Sequence, residues 1–356
     1  MKQFHPLTIE SIEPETSDSV RIALAVPAEL ESEYEFLPGQ HLPFEVTIEG
    51  RKLRRTYSIC SGADERPLQI GIRVQPGGAF SEFAASQLSA GDTLDAMPPA
   101  GHFHINLEKG QARDYLAFAA GSGITPILSM IKSTLETETH SRFALFYGNR
   151  KQATTMFIED LYALKNRYPE RLQLHFVFSQ EDQEFAVASG RLDADKVREL
   201  WEHFCARLEP AEAYVCGPDT MIESVTKTLI ELGMDAAHVH SERFGVPSDA
   251  AKARPGPSVK AADHATVTVV MDGHKKSFEM RRDDENIVDA AAGHGIDLPY
   301  SCKGGVCATC RCHVRKGEVT MAANYGLEPW EVEAGYVLAC QSRPVSNSIL
   351  LDYDKT

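Results

Sequence analysis

The sequence predicts a multidomain α/β and β chain: an antiparallel β-barrel, then a doubly wound parallel α/β domain, then a smaller domain carrying a cysteine cluster. Three observations predict it. Short alternating runs broken by Gly and Pro fill the first part of the chain. A strand–helix rhythm replaces them in the middle. A stretch rich in Gly, Pro, Ala and Ser then sets off an end with four cysteines between residues 302 and 312.

Composition allows this plan. The chain has 356 residues, 43% hydrophobic and 24% charged, enough for two or three cores. Its net charge of −15 argues against a nucleic-acid partner, which needs Lys and Arg against phosphates. No run approaches about 18 apolar residues, so no membrane span is expected. "MKQFHPLTIE" lacks the apolar core of a signal peptide. A cytoplasmic location is expected, where clustered cysteines hold metal more often than they form disulfides.

The barrel is expected over residues 1–108. "HPLTIESIEP", "SVRIALAVP", "HLPFEVTIEG", "LQIGIRVQ" and "DTLDAMPPAG" read as strands, with one helix in "FSEFAASQLSA". The α/β domain is expected over 113–245. "DYLAFAAG", "RFALFYGN", "LQLHFVFS" and "EAYVCGP" are apolar strands, each followed by a helical pattern, and "HVHSERF" is a last strand. Residues 246–263 read as a linker. The third domain, 264–356, starts with a hairpin around Asp272-Gly273, continues through a short helix in "NIVDAAAGHG" and ends on the strand "SILLDY".

Cys302-x4-Cys307-x2-Cys310, with Cys340 thirty residues further on, is the plant-type spacing for a [2Fe–2S] cluster. Two irons need four thiolates. Gly304, Gly305 and Ala308 let a loop curl until its N–H groups approach the sulfurs. Zinc is the competing reading, with Cys312 or His313 completing a set, but zinc sites more usually show two tight C-x2-C knuckles. Cys312 is left out of the ligand set because it heads the next strand. Tyr300 and Arg311 neighbour the cluster with no assigned role.

"RRTYSI" carries Arg55-Thr56-Tyr57-Ser58, a weak signal alone, but in a barrel it precedes "GGAFSEF". There Gly78, Ala79, Phe80 and Ser81 open a helix, a natural phosphate site. "AAGSGITPILSM" puts Gly121-Ser122-Gly123-Ile124-Thr125-Pro126 between a strand and a helix. Glycines there let the backbone approach a dinucleotide, and Pro126 suits a first helical turn. "YVCGPDTM" places Cys216-Gly217-Pro218 at a strand end, the ligand edge of an open α/β sheet.

Over residues 1 to about 245 these motifs resemble the ferredoxin–NADP reductase family, and the end of the chain resembles plant-type ferredoxins. The resemblance implies a β-grasp ferredoxin domain and an FAD-binding barrel. It implies Arg55 on the FAD pyrophosphate, Tyr57 against the isoalloxazine, Ser58 near flavin N5, and residues 78–81 round the pyrophosphate. Gln40 in "PGQH" shapes the barrel or merely makes a turn. Cys216 is implied beside the nicotinamide, and "HSERF" places Glu242 and Phe244 near the flavin. Positioning falls to Ser58, Thr125, Cys216 and Glu242. The family's plant enzymes stop after this segment; this chain continues.

The choice of nucleotide turns on the 2′-phosphate, which favours Arg or Lys. Arg150 and Lys151 in "YGNRKQ", or Arg191, answer that need, whereas Gln180, Glu181 and Asp182 do not. The reading is NADPH, with NADH possible. The whole layout resembles reductase components of multicomponent oxygenases, which implies subunits of a diiron oxygenase as partner. Alternatives keep the cofactors and change the acceptor to a hybrid-cluster protein or another ring oxygenase, or make the chain a non-catalytic redox-sensing carrier.

Overall fold

The computed structural model describes residues 3–245, 262–281, 283–327 and 329–355. The expected linker, 246–263, lies outside them apart from its last two residues. The chain divides into two compact units: a larger one over His5–Leu53 and Tyr57–Arg243, and a smaller one whose main segment is Phe244–Thr356.

In the larger unit, β1 (His5–Thr16), β2 (Ser19–Ala25), β3 (His41–Ile48), β4 (Arg51–Ser58), β5 (Leu68–Arg73) and β6 (Thr93–Ala96) form an antiparallel sheet in the order β4-β3-β6-β1-β2-β5. The bridge Ile59–Ile70 joins the continuation of β4 to β5 and closes the barrel. Closure removes exposed edges. The alternating apolar residues face inward: Leu7, Ile9, Ile22, Leu24, Phe44, Leu68, Ile70 and Leu94 are each at most 1% exposed. Helix α1 (Ala79–Ser86) follows the turn Gly77-Gly78 and drops Phe80 and Ala84 into that core.

The strand–helix segments become β7 (Asp114–Ala120), α2 (Ile124–Thr137), β8 (Arg142–Asn149), α3 (Ile158–Arg167), β9 (Leu172–Phe178), α4 (Ala194–Leu200), β10 (Pro210–Cys216), α5 (Asp219–Glu231) and β11 (Val239–Glu242). The sheet is parallel, in the order β11-β10-β7-β8-β9. The order reverses between β7 and β10, so a crevice opens at their C-terminal ends.

Barrel and α/β lobe belong to one compact unit. Cys60, Phe103 and Ile105 from the barrel side share a core with Tyr115, Ile127, Met130, Tyr147 and Phe157. An ion cluster reinforces the seam. Arg21 of β2 binds Glu15 of β1 at 2.6 Å and also Asp160 of α3, while Glu15 accepts the Phe157 N–H at 2.7 Å. Side-chain contacts 142 residues apart give no periodicity for a sequence reading to detect.

The smaller unit contains β12 (His264–Met271), β13 (His274–Arg281), α6 (Ile287–Gly293), β14 (Arg311–Lys316), β15 (Val319–Met321), α7 (Pro329–Glu333), β16 (Tyr336–Leu338), β17 (Ser342–Pro344) and β18 (Ser348–Asp352). The hairpin turns at Asp272 (φ 52°) and Gly273 (φ 71°), the left-handed pair that matches strand twist. The main sheet runs β13-β12-β18-β14-β16, with β18 parallel to β12. Asn286 caps α6 by accepting the Asp289 N–H at 3.0 Å, so the helix folds across the sheet and buries Ile287, Val288 and Ala291.

Candidate functional site

The nucleotide edge of the larger unit forms where β7 and β10 end. Gly121 has φ +55°, and a Cβ there would meet nothing within 4 Å, so the backbone is open to a ligand. Gly123 is the opposite case. A Cβ on it would lie 2.2 Å from the Cys216 carbonyl oxygen. The two motifs separated by some ninety residues of sequence are thus packed backbone against backbone. Tyr147 of β8 donates to the Gly121 carbonyl at 2.8 Å, and Thr125 donates to that of Ser122 at 3.0 Å, which fixes the loop. Pro126 lies in the first turn of α2, and Pro218 precedes α5 after Gly217.

Cys216 is fully buried, and burial, then the Glu242 carboxylate, hold its thiol well above the usual range. It pairs in register with Glu242 across β10 and β11. From the barrel side, His41 brings Nδ1 to 3.5 Å from Glu242 Oε1. The Ile59 N–H donates to the Gln40 carbonyl at 3.0 Å, so the strand end carrying Ser58 runs beside the start of β3. Ser58 is 4% exposed. Gln40 accepts from the Leu37 N–H at 2.9 Å and donates to the Gly101 carbonyl at 3.2 Å, so it builds the turn into the strand. His41 did not stand out in the sequence; only its place beside Gln40 in "PGQH" hinted at it.

The expected flavin residues sit on β4 and α1. Tyr57 is half-buried with its ring 5.2 Å from that of Phe80 and 6.3 Å from that of Phe44. Phe80 is therefore a core residue, and what it offers a phosphate is its backbone N–H. The Ser81 hydroxyl is engaged in the turn, accepting from the Gln75 N–H and donating to the Gly78 carbonyl, both at 3.1 Å. A Cβ on Gly78 would lie 2.5 Å from Ser81 Oγ and 2.9 Å from the Gln75 carbonyl oxygen, so a side chain there would force the turn to shift. The first N–H groups of α1, from Ala79 on, have no intrahelical acceptor and suit a pyrophosphate. Arg55 is exposed and donates to the Arg54 carbonyl at 2.8 Å; Thr56 is half-buried. Phe244 is 48% exposed.

At the ends of β8 and β9, the Gln180 N–H donates to the Arg150 carbonyl at 2.9 Å. The exposed Arg150 thus stands beside the acidic loop, whose Glu181 accepts the Gln152 N–H at 2.7 Å.

The cysteine loop in the smaller unit winds tightly. Lys303 (φ 50°), Gly305 (φ +76°) and Ala308 (φ 51°) are left-handed. Non-glycine residues in that conformation are strained and need support. The turns aim donors at sulfur: Gly304 and Cys307 N–H groups lie 3.3 and 3.4 Å from Cys302 Sγ, the Thr309 hydroxyl 3.2 Å from Cys307 Sγ, and the Cys340 N–H 3.5 Å from Cys310 Sγ. The neighbouring Cys307 thiol, helped by those N–H groups, holds the Cys302 thiol below the usual range. Cys310 lowers Cys340 in the same way, while Cys307 and Cys310, as the donors and buried, are pushed up.

Backbone N–H contacts to sulfur thus link the four free cysteines as two pairs, 302 with 307 and 310 with 340. Among the described residues no group of three or more His, Cys, Asp or Glu converges on one metal ion. Two thiolates for each of two irons fit this arrangement better than one tetrahedral zinc does. His313 Nε2 lies 2.9 Å from the Ala334 carbonyl oxygen, an acceptor, and 2.9 Å from Lys355 Nζ, a donor, so this nitrogen is engaged away from the cysteines. Cys312 is a core thiol, raised to about 12 by burial. Arg311 binds the buried Glu331 at 2.6 Å and covers the Tyr336 ring, which holds α7 on the sheet.

Comparison with known proteins adds a frame for both sites. A family model described as oxidoreductase FAD-binding domain matches residues 6–105, one described as oxidoreductase NAD-binding domain matches 118–227, and one described as 2Fe-2S iron-sulfur cluster binding domain matches 269–345. The chain is 43% identical over 355 residues to a 1,2-phenylacetyl-CoA epoxidase subunit (Escherichia coli, strain K12), covering 99% of each chain. It is 35% identical over 357 residues to the ferredoxin reductase component of 3-ketosteroid-9-alpha-monooxygenase of Rhodococcus rhodochrous, covering 98% of this chain and 96% of that one. Among solved structures it resembles phthalate dioxygenase reductase, described as a modular structure for electron transfer from pyridine nucleotides to [2Fe-2S], with a TM-score of 0.58 at 25% identity over 98% of both chains.

Proposed function

Since the chain belongs to the family of FAD- and [2Fe–2S]-binding oxygenase reductases that includes the Escherichia coli epoxidase component, we propose that it carries electrons from NADPH to the diiron oxygenase subunits of a phenylacetyl-CoA epoxidase, in aerobic phenylacetate catabolism. It is a flavin and iron–sulfur oxidoreductase, the electron-transfer component of a multicomponent oxygenase. No described helix is long and apolar enough to cross a membrane. The observation that carries the reading is the packing of Gly123 on Cys216 at the sheet's switch point, with Glu242, in register with Cys216, facing His41 of the barrel.

In this reading FAD, when bound, would supply the hydride acceptor and single-electron donor, and the cluster a one-electron relay. The chain's residues align and stabilise. Gly121 to Pro126 and Cys216-Gly217-Pro218 bracket the nucleotide, with Thr125 and Cys216 setting the nicotinamide. Ser58 and Glu242 place polar atoms at the reacting face, where alignment supplies most of the rate. Gly78 to Ser81 hold the pyrophosphate by backbone N–H groups, with Arg55 adding charge, Thr56 and Tyr57 lining the flavin and Phe244 near it. Arg150 takes the 2′-phosphate. Cys302, Cys307, Cys310 and Cys340 hold the cluster.

The test is to mix the purified chain with the oxygenase subunits and follow product and nucleotide consumption. Epoxidation that needs both phenylacetyl-CoA and this chain, with kcat/KM higher for NADPH than for NADH, supports the proposal. Nucleotide-driven cytochrome c reduction with no oxygenation would move the acceptor elsewhere. The 3-ketosteroid relative favours that second reading, since its name records a different oxygenase.

A further inference from the structure

His41 opens β3 and is 4% exposed. Its backbone is held both ways, N–H to the Ala100 carbonyl at 2.9 Å and carbonyl from the Ala100 N–H at 3.0 Å. Its ring lies over Gly101, where φ is +111° and a Cβ would come within 2.9 Å of the imidazole. The ring is therefore seated by its surroundings. It faces Glu242, whose Oε1 lies 3.5 Å from Nδ1. The remaining atoms of the pair, His41 Nε2 and Glu242 Oε2, are both buried and have no partner among the described residues. Buried polar atoms are nearly always satisfied, and an exception calls for a reason. Two exceptions on one facing pair, at the end of the strand that pairs with Cys216, give one: a carboxylate is held where another group will meet it.

We infer that His41 is a positioning residue: it holds the Glu242 carboxylate from the barrel side of the seam, beside Cys216, so that the carboxylate faces the reacting rings. This rests on the reading of the Cys216–Glu242 edge given above. At 3.5 Å the contact is longer than a full hydrogen bond, and such contacts in unliganded sites tighten when the complex forms. The bland alternative is that His41 only fills space over Gly101. Asparagine and glutamine at position 41 separate the two. The Asn side-chain nitrogen stands near the place of Nδ1 and keeps the bond to Glu242. The Gln nitrogen stands nearer Nε2 and loses it.

The test uses the full chain loaded with FAD and cluster. It compares His41→Leu, His41→Asn, His41→Gln, Glu242→Gln and the double variant His41→Leu with Glu242→Gln. FAD content and unfolding midpoint are checked for each. Flavin bleaching by NADPH is followed by stopped flow, and the flavin midpoint potential by dye equilibration. His41→Leu and His41→Gln are expected to slow bleaching roughly tenfold at saturating NADPH, with KM little changed. They should move the potential towards that of Glu242→Gln. His41→Asn stays near wild type. On the Glu242→Gln background His41→Leu adds nothing, as expected if it acts through that carboxylate. Full additivity on that background overturns the pairing, as does wild-type rate and potential in His41→Leu. Should leucine unfold the strand, equal behaviour of the Asn and Gln variants overturns it. A wild-type chain that neither NADPH nor NADH reduces overturns the reading of the site itself and the pairing with it.

Discussion

A methyl group on Gly123 would meet the Cys216 carbonyl at 2.2 Å, and a backbone oxygen in a β-strand cannot step aside. Gly123→Ala should therefore push the β7–α2 loop off the end of β10. The expected cost is about 1–3 kcal/mol in urea unfolding, the range of overpacked cores, together with a raised KM for NADPH. A variant with wild-type stability and KM would show that the two loops do not need this contact. The sequence shows both glycine motifs, but not that they touch.

Among the elements, β9 carries a pH-dependent contribution that its sequence hides. His175 stacks between Phe146 at 5.0 Å and Phe204 at 3.9 Å. Burial, and then Lys165, lower its pKa from 6.5 to about 4. The unfolded chain takes up this proton near pH 6.5 and the folded chain only near 4. The stability this neutral imidazole contributes is therefore complete above about pH 6.5, is lost as the pH falls towards 4, and changes no further below that. His175→Phe removes the group that titrates. The drop in urea midpoint between about pH 7.5 and pH 5 should be smaller in the variant than in the wild type; an equal drop would place the acid sensitivity elsewhere.

At the scale of the whole molecule, the cluster ligands all lie in the smaller unit and the nucleotide loops in the larger. Cys307→Ser is expected to lose the cluster's visible absorption while FAD binding and NADPH–ferricyanide activity survive. Cys312→Ser, at a core thiol outside the two pairs, should keep the cluster. Loss of both activities in Cys307→Ser, or of the cluster in Cys312→Ser, would contradict this division, and absorption spectra with a ferricyanide assay read both.

The sequence by itself determined most of the element order in the first two lobes, the cluster spacing and the motifs of the nucleotide-binding lobes, because these depend on short-range patterns; it marked no strand at β4 or at β15 to β17. Apolar alternation sets strands, a period near 3.6 sets helices, and a tight loop must bring its cysteines together. Only the tertiary structure decided the rest. It set Gly123 against Cys216, turned Phe80 and the Ser81 hydroxyl into the core and the turn, sorted the thiols into two pairs by backbone N–H contacts, and joined barrel to α/β lobe through Arg21, Glu15 and Asp160. It also brought His41 to Glu242, two hundred and one residues away along the chain. Such contacts depend on how finished elements pack. The energy of packing is shared among residues that leave no common mark on the chain, so no local pattern announces it.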